Sequence, residues 1–149
     1  MKKLFLLTII ASITLLSCTS TKKETIYEDE DYTQFVDPFI GTAFTGHTFP
    51  GATYPLGMVQ PGPETGNFSW DYCAGYVYGD PTITGFSQTR LNGTGVTDLG
   101  DLLMQPFSGD KRDNLHSQYD LISEEATPGY YAVHLTDNDV KVEITAAPH

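Results

Sequence analysis

The sequence predicts an all-β fold, an antiparallel β-sandwich, and three observations lead to it. Apolar residues nowhere recur at the spacing of a long helix, and segment 70–101 (WDYCAGYVYGDPTITGFSQTRLNGTGVTDLGD) is broken by Gly75, Gly79, Gly85, Gly93, Gly95 and Gly100. Pro50, Gly51, Pro55, Gly57, Pro61, Gly62 and Pro63 follow one another so closely that only extended chain and tight turns accommodate them. Further on, YYAVHLTD and VKVEIT alternate as half-buried strands do, with Asn138 and Asp139 as the turn between them.

In chain order, Lys2 and Lys3 precede an apolar run over residues 4–16 that is too short to span a bilayer. It reads as the core of a signal sequence. The run ends in Leu15-Leu16-Ser17-Cys18, which resembles a bacterial lipobox; the other reading is ordinary secretion with cleavage nearby. Residues 1–17 are therefore expected to be a lipoprotein signal peptide and Cys18 the lipidated first residue. Acylation there would anchor the protein to the cell envelope, on the periplasmic face or the outer-membrane surface, through lipid alone. Residues 18–32 (CTSTKKETIYEDEDY) carry charge without apolar period and are expected to be a flexible tether. Residues 33–149 form the predicted domain.

Within it, QFVDPFIG at 34–41 is expected to be an edge strand or an extended lead-in, because Pro38 cannot donate to a ladder. Residues 54–60 form a candidate strand. Residues 74–78 and 83–87 read as two strands joined by Gly79, Asp80, Pro81 and Thr82. Residues 99–106 give another, apolar at Leu102, Leu103 and Met104; 110–117 is a charged loop; and 124–129 turns the chain into the final hairpin. The chain stops just after VKVEIT, so the sandwich is expected to be incomplete.

Charge narrows the partners. The full chain has a net charge of −11, and loss of Lys2 and Lys3 with the leader takes it to −13. Nucleic acid and anionic lipid are poor partners for such a surface, whereas a neutral glycan meets no penalty. In segment 70–101 the aromatic rings Trp70, Tyr72, Tyr76, Tyr78 and Phe86 are interleaved with Asp71, Ser87, Gln88, Arg90, Asn92 and Thr94. Flat rings beside hydroxyl-binding groups suit a sugar, although a tyrosine-rich sandwich core has the same composition. Cys73 has no local base signature and reads as a buried thiol. His47 is either a turn histidine bonded to backbone or a ligand-facing loop residue, and His134 is an exposed or satisfied sheet residue.

No nucleophile elbow, zinc-binding helix signature, paired C-x-x-C or phosphate-binding glycine loop occurs. Glycosidase chemistry needs two carboxylates facing each other across a scissile bond, and Glu64, Asp71, Asp98 and Asp101 are present, but spacing selects no pair.

Five segments read together are more specific: VDPFIGT at 36–42, GHTFPGATYPLGMVQPGPET at 46–65, residues 70–107, EEATPGYYAVHL at 124–135 and VKVEITAAPH at 140–149. In unbroken order they resemble the amino-terminal domain of glycoside hydrolase family 92, calcium-dependent exo-acting α-mannosidases that invert configuration. The resemblance implies a β-sandwich packed on a helical catalytic domain, with the acid, the base and the main calcium ligands in that second part, beyond this chain. It implies a mannose-containing glycan as substrate, α-1,2-linked in the first instance, and an isolated chain without activity. It also implies that Trp70 is an apolar platform, Asp71 and Arg90 are hydroxyl partners, and Ser87, Asn92 and Gly93 are loop wall, with His47 and Cys73 nearby. No catalytic or metal-binding residue is assigned within the chain. For Arg90 the alternatives are bridging vicinal hydroxyls, holding a carboxylate in place, or a surface salt bridge. The competing functional readings are a non-catalytic sugar-binding lipoprotein and a gene remnant.

Overall fold

A computed structural model describes residues 30–54, 59–66, 69–93, 95–109 and 115–147. The signal peptide, Cys18, the tether up to residue 29, Thr94, and most of the candidate strand 54–60 and of the loop 110–117 lie outside them. The compact unit from Asp31 onward is all-β, with every strand pair antiparallel. The strands are β1 (Gly62–Glu64), β2 (Thr82–Ile83), β3 (Gly85–Ser87), β4 (Leu103–Met104), β5 (Ser117–Gln118), β6 (Glu125–Thr127), β7 (Tyr130–Leu135) and β8 (Val140–Thr145). They form sheets in the order β1-β3-β4, β2-β5 and β6-β7-β8.

The hairpin β7–β8 carries the alternation into space. Tyr131, Val133 and Leu135 are buried along one face of β7, paired with Ile144, Val142 and Val140 of β8. On the opposite face the Tyr130 hydroxyl and Lys141 both donate to Glu143. His134 meets Asp139 at 2.9 Å, so it is a satisfied sheet residue. The turn spans residues 136–139, and Asp139 takes a left-handed φ of 51°, a conformation that aspartate tolerates better than most residues. Phe86 of β3 and Ile83 of β2 close over Tyr131, Val133 and Leu135, with Tyr119 and Ala126 packed against them. This is the core, and it lies between strands of all three sheets.

Five expected elements differ: the strand expected over 83–87 breaks at Thr84 into β2 and β3 of different sheets, the turn expected over 124–129 holds β6 paired to β7, and three more change. Residues 34–41 hold no strand: Tyr32–Phe35 is a 3-10 turn capped by the Asp31 carboxylate, and residues 38–41 turn again. Residues 74–78 do not form a strand either, because Gly75 sits at φ +79° and the segment spends its backbone groups on loop contacts such as Thr65 N–H to the Gly75 carbonyl, 2.9 Å. It follows a 3-10 turn at Trp70–Tyr72. The strand expected over 99–106 shrinks to Leu103–Met104, whose side chains are exposed on the sheet edge. Tyr54 and Val59 make one isolated antiparallel bridge.

Candidate functional site

The β1–β3 pairing gives this small sheet two different faces. Pro63 lies opposite Phe86, which points into the core, while Glu64 opposite Gly85 and Ser87 opposite Gly62 share the other face. Arg90 follows β3 and pairs with Leu99 across an isolated bridge, closing residues 91–98 into a loop.

At the centre is a buried ion pair. The Arg90 guanidinium donates through Nε to Glu64 Oε1 at 3.1 Å and through Nη2 to Glu64 Oε2, while Nη1 donates to the Leu99 carbonyl at 3.3 Å. The Ser87 hydroxyl donates to Glu64 Oε1. Arg90 and Glu64 are 6% and 4% exposed, so this is an interior fork-to-fork pair and not a surface bridge. Of the sequence alternatives for Arg90, the structure places it holding a carboxylate. Both Glu64 oxygens are occupied, which makes Glu64 an anchor for the surrounding chain. Gly75 lies directly on the pair: a Cβ there would sit 2.2 Å from Glu64 Oε2 and 2.7 Å from Arg90 Nε.

Loops gather around this anchor. Gly93 N–H donates to the His47 carbonyl at 2.8 Å, and the Asn92 side chain donates to Gln60 Oε1. The Thr97 hydroxyl donates to the Ser69 carbonyl at 2.6 Å, and the Cys73 thiol to the Trp70 carbonyl at 3.0 Å. The His47 imidazole stands edge-to-face against Trp70, with ring centroids 4.6 Å apart and planes at 76°. Thus the segments around His47, Trp70 and Ser87–Gly93 come together although they are distant in sequence. Trp70, Asp71, Asn92 and Gly93 are exposed there, while His47, Cys73, Ser87 and Arg90 are buried behind them. An exposed indole with amide and carboxylate neighbours can stack on one face of a ring and bond its edge.

A second polar cluster was not visible in the sequence. Glu124 Oε1 accepts from the hydroxyls of Tyr76 at 2.8 Å and Tyr131 at 2.6 Å, while Oε2 is enclosed with no hydrogen-bonding partner among the described residues. Burial raises the Glu124 carboxyl above its ordinary range, outweighing the two hydroxyl bonds that lower it. The Tyr131 hydroxyl is pushed well up by burial and then by the nearby carboxylate. Glu124 also lines a cavity of about 320 Å³ with Asp37, Thr42 and Tyr78. A separate apolar cleft of about 450 Å³, lined by Phe86, Met104, Val142 and Ile144, opens on the side of β4 and β8. Among the described residues no group of three or more His, Cys, Asp or Glu side chains is placed to hold a metal ion.

Residues 35–149 match the glycosyl hydrolase family 92 N-terminal domain. The chain belongs to this family. It is 33% identical over 132 residues to an uncharacterized secreted glycosidase of Arthroderma benhamiae, covering 80% of this chain and 16% of that protein. The family 92 alpha-mannosidase BT3965 of Bacteroides thetaiotaomicron is 40% identical with a TM-score of 0.74, over 79% of this chain and 17% of that one. The family 92 glycosyl hydrolase ccman5 is 30% identical with a TM-score of 0.66, over 78% of this chain and 18% of that one. The chain therefore spans about a sixth of the family 92 relatives it matches. The all-β family 92 domain expected from the segments at 36–42, 46–65 and 70–107 is the domain observed.

Proposed function

We propose that this chain is the amino-terminal part of a family 92 exo-α-mannosidase that releases terminal α-1,2-linked mannose with inversion, and that it shapes one wall of the mannose pocket. The observation that carries this reading is the convergence of the His47, Trp70 and Ser87–Gly93 segments, with an exposed indole packed against the His47 ring and the Gly93 N–H tied to the His47 carbonyl. Family membership and the alpha-mannosidase BT3965 among its relatives support it. Trp70 is the stacking platform, Asp71 and Asn92 bond sugar hydroxyls, and Gly93 leaves room for them. Ser87, Arg90 and Cys73 hold this wall from behind. Acid and base catalysis belongs to residues outside this chain. So do the main ligands of calcium, which would polarise and orient sugar hydroxyls when bound; the described residues do not fit such a site by themselves. The secreted relative agrees with export of this chain to the cell envelope, where Cys18 would carry the lipid.

Full-length protein incubated with α-1,2-mannobiose tests the reading. Release of β-mannose as the first anomer seen by proton NMR, its loss on calcium chelation, and a rise in KM on Trp70→Ala are the expected results. An active enzyme unaffected by Trp70→Ala would remove the platform assignment. An inactive full-length protein that still binds mannosides would favour a non-catalytic sugar-binding role. Labelled palmitate incorporated into wild type but not Cys18→Ala tests the anchor.

A further inference from the structure

His47 is an expensive residue for the fold. Its backbone lies in the left-handed region at φ 55°, where a β-carbon is strained, and its side chain is 3% exposed with Nε2 enclosed and no hydrogen-bonding partner among the described residues. Histidine tolerates this φ better than most side chains, but glycine would relieve the backbone further and an apolar side chain would remove the orphaned nitrogen. The costs concentrate against one neighbour. Trp70 is 52% exposed, and the His47 ring stands edge-to-face against it at 4.6 Å. Trp70 is also the only tryptophan in the sequence.

The indole is held at its base by the 3-10 turn Trp70–Tyr72, whose end is fixed by the Cys73 N–H and thiol bonds to the Trp70 carbonyl. Those bonds restrain the backbone and leave the side-chain torsions free. The imidazole packed edge-to-face against the indole adds a restraint on the side chain, since such aromatic pairs attract. His47 is itself tied to the sugar-facing loop, since its carbonyl accepts the Gly93 N–H at 2.8 Å.

We infer that His47 is a positioning residue: it sets the tilt of the Trp70 indole, and its burial leaves it no surface with which to bind sugar. This deepens the proposed mannose site and rests on Trp70 being its platform. The same linkage couples the platform to the 91–98 loop through Gly93.

Two variants and two readouts test it. In this chain the near-ultraviolet circular dichroism band above 290 nm reports Trp70 alone, and it needs no enzyme activity. In full-length enzyme, KM and kcat for α-1,2-mannobiose report the platform. His47→Phe keeps a ring edge without the nitrogen; His47→Leu removes both. The expected result is that His47→Phe retains the band and holds KM within roughly threefold of wild type, while His47→Leu loses the band and raises KM about tenfold, equivalent to about 1.4 kcal/mol. If His47→Leu fails to fold, the His47→Phe result decides alone. A His47→Phe protein with an intact band but KM raised as far as in the leucine variant would make His47 a direct ligand and overturn the inference, as would a leucine variant with an unchanged band. Wild-type inactivity with a His47-dependent band would instead sink the mannosidase reading and leave the packing role standing.

Discussion

Arg90→Ala tests whether the buried ion pair is the anchor of the site. The substitution leaves the Glu64 carboxylate enclosed with the Ser87 hydroxyl as its one remaining partner among the described residues, and it also deletes the bond from Nη1 to the Leu99 carbonyl. Breaking one side of a buried pair costs about 3–5 kcal/mol, most of it the uncompensated charge left behind. With a urea m-value of about 1–3 kcal/mol/M for a small domain, the unfolding midpoint falls by about 2 M. That is a large fraction of the roughly 5–15 kcal/mol that domains possess. The assay is urea unfolding followed by far-ultraviolet circular dichroism on wild type, Arg90→Ala, Arg90→Lys, and the double variant Glu64→Leu with Arg90→Met. Lysine keeps the charge but not the planar fork, so it should fall between wild type and alanine. The double variant should lie within about 2 kcal/mol of wild type, because two apolar side chains remove both desolvation costs together. An Arg90→Ala loss below about 1 kcal/mol, the range of an exposed pair, would refute the reasoning.

Gly75→Ala should be nearly as damaging although it removes nothing: the new methyl would meet Glu64 Oε2 at 2.2 Å on a backbone at φ +79°. Overpacking and strain together cost about 2–4 kcal/mol, read as a drop in melting temperature. Glu124→Gln should change the pH dependence of stability. Because burial raises the folded-state value of Glu124, its contribution is fully present below the ordinary carboxylate range and is lost as pH rises through the raised value. The melting temperature of the glutamine variant relative to wild type should therefore be higher at pH 8 than at pH 4, with the Tyr76 and Tyr131 hydroxyls still donating to the amide oxygen. A difference that shrinks with rising pH would contradict the assignment of desolvation as the dominant effect.

What sequence could show depended on whether the determining contact was local. The hairpin β7–β8 was legible because period-two alternation is a local property, and Tyr131, Val133 and Leu135 fill the core face it predicts. Residues 74–78 look like a strand by the same reasoning, but Tyr76 is buried by a bond to Glu124, 48 positions away, and Gly75 is left-handed to clear the ion pair. Leu102, Leu103 and Met104 are apolar and exposed on an edge, so their composition misstates their burial. The site follows the same rule. Residue type offered Arg90 as a partner for sugar hydroxyls or as a fork for a carboxylate, and could not choose, because Glu64 lies 26 positions upstream and is brought to it by the β1–β3 register. A one-residue slip in that register would put Glu64 on the same face as Phe86 and part it from Ser87, so that either Phe86 leaves the apolar core or Glu64 enters it. Burying the carboxylate there without Arg90 would cost far more than the loops could return. The core face of β3 and the anchor of the loops around Trp70 are thus specified by the same strand pairing.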